Sequence, residues 1–203
     1  QKELQNRPRT RVPFHPVVLQ SHLFDLRISF VEGSKKPHIL LCFQLMAAKR
    51  LPILDVIAHD IRSRENVGAL LRTCEFLGAH KVWFTGYTPA LPDARIEKVS
   101  LGAEKDVLWE KQPDVMLVLS ALKKKRFRLV GLELADEALE LASYKPPERI
   151  ALLLGNEVTG ITPTLLACCD DRIEIARHGK KESLNVSIAA GIAIHWMLCQ
   201  KSQ

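Results

Sequence analysis

The sequence predicts an α/β protein with a mostly parallel β-sheet and helices on both faces. Apolar stretches of strand length alternate along the chain with longer helical stretches, which is typical of strand-helix-strand units. The stretch 150–154, Ile-Ala-Leu-Leu-Leu, is apolar throughout, as expected of a strand that is buried on both faces of a parallel sheet. Hydrophobic residues make up 47% of the 203 residues and aromatic residues only 6%, which favours an aliphatic core of this layered kind.

The predicted elements follow one another from Leu51 onward. Strands are predicted at 53–59, 81–85, 128–134, 150–154 and 172–175, and helices at 66–77, 113–125, 164–168 and 186–199. The first helix carries one apolar stripe at i, i+3, i+4 spacing, formed by Val67, Leu70, Leu71, Cys74 and Leu77. The last helix is apolar on every side and is therefore expected to be buried.

Residues 1–45 are predicted to be an irregular N-terminal extension, and residues 46–203 the folded domain. The extension carries four prolines and no sustained hydrophobic period. It also holds 7 of the 29 basic and 3 of the 23 acidic residues, so the domain itself is nearly balanced in charge. A polyanion would therefore be bound by local basic clusters or by the extension. A targeting function for the Arg-rich start and an alternative start at Met46 both stay open.

Composition and missing motifs exclude several classes of protein. Five cysteines without a C-x-x-C pair fit neither a disulfide framework nor a structural zinc site, which favours a reducing compartment and a cytoplasmic location. No apolar run reaches the roughly 18 residues of a membrane span, so we expect no membrane association. The sequence lacks the G-x-G-x-x-G, P-loop, G-x-S-x-G and H-E-x-x-H motifs of common enzyme classes.

Three loops leave strands at their carboxyl ends, where ligands gather in parallel sheets. The first, 59–68, leads into the helix that carries Arg72, which falls about 170° from the centre of the apolar stripe at 100° per residue. The second is the turn from Gly155 to Gly160, and the third is the basic loop 176–185 before the last helix. Each also has an ordinary interpretation: a solvated arginine, a simple turn and a helix cap.

A further basic run, Lys-Lys-Lys-Arg-Phe-Arg at 123–128, closes one predicted helix and opens the next strand. Basic groups are favoured at a helix C-terminus by the helix dipole, and most such runs are solvated. Contact with RNA is the alternative interpretation of the same residues.

Taken in order, the three loops resemble the three motifs of the SpoU/TrmH family of RNA 2′-O-ribose methyltransferases, in the SPOUT superfamily. The matching segments are Asn-Val-Gly-Ala-Leu-Leu-Arg-Thr at 66–73, Leu-Leu-Gly-Asn-Glu-Val-Thr-Gly-Ile at 153–161, and 173–175 together with Ser-Leu-Asn-Val-Ser at 183–187. The strand before the third loop departs from the Ile-Pro-Met that is usual in the family, since it reads Ile-Glu-Ile-Ala at 173–176.

The resemblance implies a C-terminal trefoil knot that binds S-adenosyl-L-methionine, a homodimer formed through the last helix, and tRNA or rRNA as substrate, with no metal ion. It implies catalytic functions for Arg72, Asn66 and Glu157. The residues implied in cofactor binding are Leu154, Gly155, Ile175, Ser183, Leu184 and Asn185. Those implied in RNA binding are Arg62, Arg64, Lys180 and Lys181. A catalytically silent RNA-binding protein with the same fold is the alternative.

Overall fold

Seven parallel strands form one sheet in the computed structural model, which describes residues 51–135 and 137–199. The strands are β1 Ile53–His59, β2 Lys81–Thr85, β3 Leu108–Lys111, β4 Arg128–Leu132, β5 Leu139–Glu140, β6 Arg149–Leu154 and β7 Asp171–Glu174. Their order across the sheet is β3-β2-β1-β6-β4-β7-β5, and every pair is parallel. The mostly parallel α/β sheet is therefore confirmed. The predictions for 1–45 and Met46 lie outside the described residues.

Helices cover both faces of this sheet. They are α1 Arg64–Leu77, α2 Ala94–Ser100, α3 Val115–Lys124, α4 Pro163–Leu166 and α5 Val186–Cys199. One apolar core combines α1, α2 and α5 with alternate strand residues such as Val56 and Leu152, and a second combines α3 and α4 with their neighbours Ile57 and Leu153. This alternation arises because successive side chains of a strand point to opposite faces. Burial on both faces explains why β6 is apolar throughout.

Several predicted boundaries are wrong by one or two residues. The strand predicted at 128–134 ends at Leu132, and the strand predicted at 172–175 is Asp171–Glu174. The helices predicted at 113–125 and 164–168 are Val115–Lys124 and Pro163–Leu166. The first helix begins two residues earlier than predicted because the Ser63 hydroxyl caps it by accepting a hydrogen bond from the Asn66 N–H at 3.1 Å.

The prediction of a fully buried last helix is also wrong for this single chain. One side of α5, formed by Ala190, Ala193, Ile194, Met197 and Leu198, is buried against α1 and the sheet. The opposite side is exposed at Ile188 and Ile192. Within the described ranges, no helix is long and apolar enough to cross a bilayer.

The sheet order places the first two loops side by side. β1 and β6 are neighbours, and Ala58 pairs with Leu154 near their carboxyl ends. The residues that follow these strands therefore meet at the same edge of the sheet. β7 is separated from β6 by β4, so the segment 175–185 must cross that edge to reach α5.

Candidate active site

The carboxylate of Glu157 connects the second loop to the first. It accepts hydrogen bonds from the Arg62 N–H at 2.9 Å and the Ser63 N–H at 3.0 Å, and from Nδ2 of Asn66 at 2.9 Å. Burial favours the neutral acid, but these three hydrogen bonds outweigh it and hold the pKa of Glu157 below its usual value. Glu157 is therefore a carboxylate at neutral pH, and it anchors the start of α1.

Asn66 extends this connection to the third loop. Its Oδ1 accepts a hydrogen bond from Nδ2 of Asn185 at 3.0 Å. Oδ1 of Asn185 in turn accepts from the Ser187 N–H at 2.9 Å and the Ser187 hydroxyl at 2.7 Å, and so caps the N-terminus of α5. Glu157, Asn66 and Asn185 thus form one continuous chain of hydrogen bonds through all three loops.

The order of donors and acceptors in this hydrogen-bonded chain is fixed at both of its ends. An ionised carboxylate only accepts hydrogen bonds, so the amide of Asn66 must turn its NH₂ group toward Glu157 and its oxygen toward Asn185. The N-terminus of α5 presents only N–H donors, so Asn185 must turn its oxygen toward the helix. Each amide therefore has one allowed orientation, which makes the geometry between the loops specific.

The turn that carries Glu157 is held by the side chain of Asn156. Its Nδ2 donates to the Asp60 carbonyl at 2.8 Å and to the Tyr87 hydroxyl at 2.6 Å, and its Oδ1 accepts from the Val158 N–H at 2.8 Å. The turn closes so tightly that a Cβ at Gly155 would collide with the backbone of the turn's far side. Glycine is therefore required at this position.

A cavity of about 530 Å³ lies where the three loops meet. The residues lining it are Arg62, Ser63, Asn66, Glu157, Val158, Ser183, Leu184, Asn185 and Val186. Polar groups of the hydrogen-bonded chain thus face the same space as the exposed apolar side chains of Val158 and Leu184. This combination suits a ligand with a flat apolar part and several hydrogen-bonding groups.

The structure places some, but not all, of the thirteen residues that the sequence points to in this cavity. Six of them line the cavity: Arg62, Asn66, Glu157, Ser183, Leu184 and Asn185. Leu154 and Gly155 are buried beneath it, and Ile175 packs against the core, so none of the three lines it. Lys180 and Lys181 are exposed on the third loop. Arg64 is exposed in part, but its Nε donates to Asp93 at 2.6 Å, at the start of α2.

Arg72 lies away from this cavity in its own chain. It is six residues beyond Asn66, which on a helix is about 9 Å along the axis and 240° around it. Its side chain is exposed, and the neighbouring Phe76 is 84% exposed. In the described hydrogen bonds the side chain of Asn66 pairs with Glu157 and Asn185, and Arg72 is not among its partners.

Three residues of this site were not anticipated from the sequence. Ser63 lines the cavity, and a serine directly before a helical pattern is the usual signal of such a cap. Glu133 accepts a hydrogen bond from the Ile161 N–H at 2.7 Å and so holds the far end of the Gly155–Gly160 turn. Tyr87 holds Asn156 from the loop after β2. The last two act across long sequence separations and carry no local signal.

Comparison with known proteins places the chain in a family. The SpoU rRNA Methylase family matches residues 54–195, and the chain belongs to that family. It is 30% identical to the tRNA (guanosine(18)-2′-O)-methyltransferase of Aquifex aeolicus strain VF5, over 72% of this chain and 69% of that protein. It is 31% identical to the mouse tRNA (guanosine(18)-2′-O)-methyltransferase TARBP1, over 90% of this chain. That second match spans only 11% of the mouse protein's length.

The fold is also found among solved structures. The SpoU methyltransferase AviRb from Streptomyces viridochromogenes, in complex with the cofactor AdoMet, superposes with a TM-score of 0.68. The match covers 74% of this chain and 61% of that one, at 23% sequence identity. At this level of sequence identity, the structural similarity shows only that the two proteins share a fold.

Proposed function

We propose that the protein transfers a methyl group from S-adenosyl-L-methionine (AdoMet) to a ribose 2′-hydroxyl of tRNA or rRNA. Its family and the names of its relatives support this reaction. The observation that carries the proposal is the hydrogen-bonded chain from Glu157 through Asn66 to Asn185, which joins all three loops at one cavity.

The residues of the cavity fit AdoMet. Its volume, about 530 Å³, lies in the range of small-molecule sites. Val158 and Leu184 offer apolar contact to a purine ring, while the loop at Ser183 and Asn185 offers polar groups to the ribose and the amino acid part. AdoMet bound there supplies a methyl group on a positively charged sulfur. The carboxylate of Glu157 gives this end of the cavity a negative charge that favours a cationic ligand.

Arg62 is placed to meet the RNA at the cavity. Its side chain is exposed, it lines the cavity, and its backbone N–H is held by Glu157. Lys180 and Lys181 are exposed on the loop before Ser183 and add positive charge beside the same opening. We assign these three side chains to the phosphates around the target nucleotide, because phosphate contacts position a nucleic acid. Arg64 contributes less to RNA binding in this proposal, because its charge is already neutralised by Asp93.

Arg72 completes the site from a second subunit in this proposal. Its planar guanidinium holds an RNA phosphate and stabilises the negative charge that develops on the ribose 2′-oxygen during methyl transfer. An arginine stays protonated, so it does not serve as the base. A phosphate oxygen held by Arg72 is placed to take the hydroxyl proton.

The surface on which Arg72 lies supports a homodimer. We call this the α1–α5 surface and define it by Arg72 and Phe76 on α1 and Ile188, Ile192 and His195 on α5. Ile188 is 54% exposed and Ile192 43% exposed. A contiguous exposed apolar patch of this kind marks an interaction site, and in a symmetric dimer the same patch of both subunits meets.

Replacing Ile188 and Ile192 by aspartate is expected to turn the dimer into a monomer at micromolar concentration, because the interface would bury four carboxylates. Light scattering during gel filtration measures the mass. The matched control is Leu117→Asp with Met116→Asp on α3, whose side chains are 57% and 44% exposed. The control is expected to remain dimeric. A monomeric unmodified protein, or an α5 variant that stays dimeric, would contradict the proposed interface.

We also propose that the C-terminal segment forms a trefoil knot. β7 lies between β4 and β5, and β5 belongs to the connection from β4 to β6. The preceding α4 packs on one face of the sheet and the following α5 on the other. These positions support a path in which the segment around β7 passes through the loop that connects β4 to β6. An experimental trace of residues 132–186 tests the knot, and a path that leaves β7 outside this loop would disprove it.

Methyl incorporation separates the proposed enzyme from a silent RNA-binding protein. With methyl-labelled AdoMet and total tRNA or rRNA, we expect label in alkali-resistant dinucleotides, which 2′-O-methylation produces. Asn185→Ala is expected to lower incorporation by about tenfold or more, because it removes both the α5 cap and the partner of Asn66. Glu97→Gln, on the exposed side of α2, is the control and should incorporate normally. Binding of RNA without incorporation would favour the silent alternative.

A further inference from the structure

A second groove lies at the amino ends of the strands, on the opposite edge of the sheet from the cavity. Its volume is about 650 Å³. It is formed where α3 ends and where β4, β6 and β7 begin. The basic residues that line this groove are Lys123, Arg126, Arg128 and Arg149. The methyl-transfer site uses none of them, and we call this feature the basal groove.

The positive charges of the basal groove are only partly neutralised. Arg128 makes two hydrogen bonds to Asp171, at 2.8 and 2.7 Å, and Lys123 lies 3.6 Å from Asp170. Arg126 and Arg149 form no ion pair with any carboxylate of the described residues, although Glu148 also lines the groove. Two guanidinium groups are therefore available to an anion.

The surroundings orient one of these two free groups, the guanidinium of Arg149. Arg126 ends the turn that closes α3, where its backbone is left-handed, φ 61°, its N–H donates to the Lys123 carbonyl at 2.9 Å, and its side chain is exposed. The guanidinium of Arg149 lies over the ring of Phe127, 5.0 Å from its centre. Stacking on an aromatic ring orients a guanidinium and leaves its N–H groups free at the edge. Such an edge matches the paired oxygens of a phosphate.

We propose that the basal groove binds the phosphate backbone of the RNA substrate at a point away from the methylated nucleotide. This inference rests on the proposed function. β6 runs from Arg149 in the groove to Leu154 beside the cavity, a distance of about 17 Å at 3.3 Å per residue. One turn of a nucleic acid helix is about 34 Å long, so a single folded RNA is large enough to reach both places. Lys124 and Lys125, exposed at the end of α3, extend the positive surface beside the groove.

The test compares RNA binding by two variants of the full chain that each lose two positive charges. The groove variant is Arg126→Asn with Arg149→Gln, in which asparagine tolerates the left-handed backbone. The control variant is Lys98→Gln with Lys105→Gln, two exposed lysines away from both sites. Binding of a tRNA transcript is measured by fluorescence anisotropy at several salt concentrations. AdoMet affinity, measured by calorimetry, reports whether each variant retains the cavity.

The groove variant is expected to bind the tRNA roughly tenfold more weakly, with a salt slope lower by about two, because two phosphate contacts are lost. The control variant should keep the original affinity, and both should bind AdoMet normally. If the groove variant loses AdoMet affinity, a second variant, Lys124→Gln with Lys125→Gln, replaces it. This lysine variant is also expected to bind the tRNA more weakly than the unmodified protein.

Three results would overturn the proposed RNA binding by the basal groove, and the first two leave the proposed function intact. If the groove variant and the lysine variant both bind tRNA with unchanged affinity and salt slope, RNA does not use this groove, although the methylation reaction stands. The same conclusion follows if the control variant weakens binding equally. If the unmodified protein binds neither tRNA nor rRNA, the groove and the proposed function both fail.

Discussion

Substituting Arg72 by lysine is expected to lower kcat by about 100-fold, while AdoMet affinity stays unchanged, because one oriented donor to the developing oxyanion is lost. Lysine keeps the positive charge but not the planar pair of donors, so a function based on charge alone would be largely preserved. In the proposed dimer Arg72 contacts an RNA phosphate and the ribose 2′-oxygen and not AdoMet, so AdoMet binding should not depend on it. Single-turnover methylation at saturating RNA and AdoMet measures the effect, and near-normal kcat would refute this function of Arg72.

A mixing experiment tests whether Arg72 acts across the dimer. An Arg72→Ala variant and an Asn185→Ala variant are each expected to be nearly inactive. Random reassociation makes half of the dimers mixed, and each mixed dimer has one intact site of two if Arg72 serves the partner's cavity, so about a quarter of the activity should return. If Arg72 serves its own cavity, every site in the mixture lacks one group and no activity returns.

The sequence was most informative where residue types strongly prefer one kind of local structure, such as a helix, a buried strand or a helix cap. Val67, Leu70, Leu71 and Cys74 repeat with helical spacing, and all four are buried in α1. The apolar run of β6 required burial on both faces, and both cores include its residues. Asn185 was recognisable as a polar residue at a helix start, and its side chain caps α5. Preferences of this kind depend on residues that are neighbours in sequence, so the amino-acid sequence alone is enough to predict them.

The elements that escaped prediction are short and mostly exposed. α2 spans seven residues with only Ile96 and Ser100 buried, and β3 alternates Leu-Trp-Glu-Lys at the edge of the sheet. β5 has two exposed residues. Such segments have too few buried positions to produce a hydrophobic period. They are held by packing and strand pairing with distant parts of the chain, which a local pattern does not record.

The contacts that set the geometry of the site depend on distant residues in the same way. Glu157 and Asn66 are 91 residues apart, and Asn185 and Asn66 are 119 apart. The motifs indicate that the three loops act together, but only the sheet order explains how they meet. The same order puts the basal groove at the other end of β6, where the basic run 123–128 meets Arg149. The sequence shows the basic run, but only the folded structure shows that it lies beside Arg149 and forms a groove with it.

Replacing Asn66 by aspartate is expected to weaken AdoMet binding by about tenfold or more, because the hydrogen bond to Glu157 becomes a contact between two carboxylates. The lost Nδ2 lies 2.9 Å from Oε1 of Glu157, so no water fits between the two charges. Glu157 also holds the Arg62 and Ser63 N–H groups, so repulsion would displace the start of α1. Calorimetry of AdoMet binding at pH 7.5 measures the loss, with Glu97→Gln as the surface control.

Reversing the polarity of the same pair provides the decisive comparison. In the double variant Asn66→Asp with Glu157→Gln, an amide NH₂ group again faces a carboxylate oxygen and the oxygen next to Asn185 is kept, but the Ser63 N–H, which shares Oε1 of Glu157 with Asn66, loses its acceptor. The double variant should recover at least part of the AdoMet affinity that the single variant loses, which gives a coupling energy of about 1 kcal/mol or more. A double variant as weak as the sum of the two single changes would mean that the pair does not act as a unit. In that case the hydrogen-bonded chain would not be what joins the three loops at the cavity.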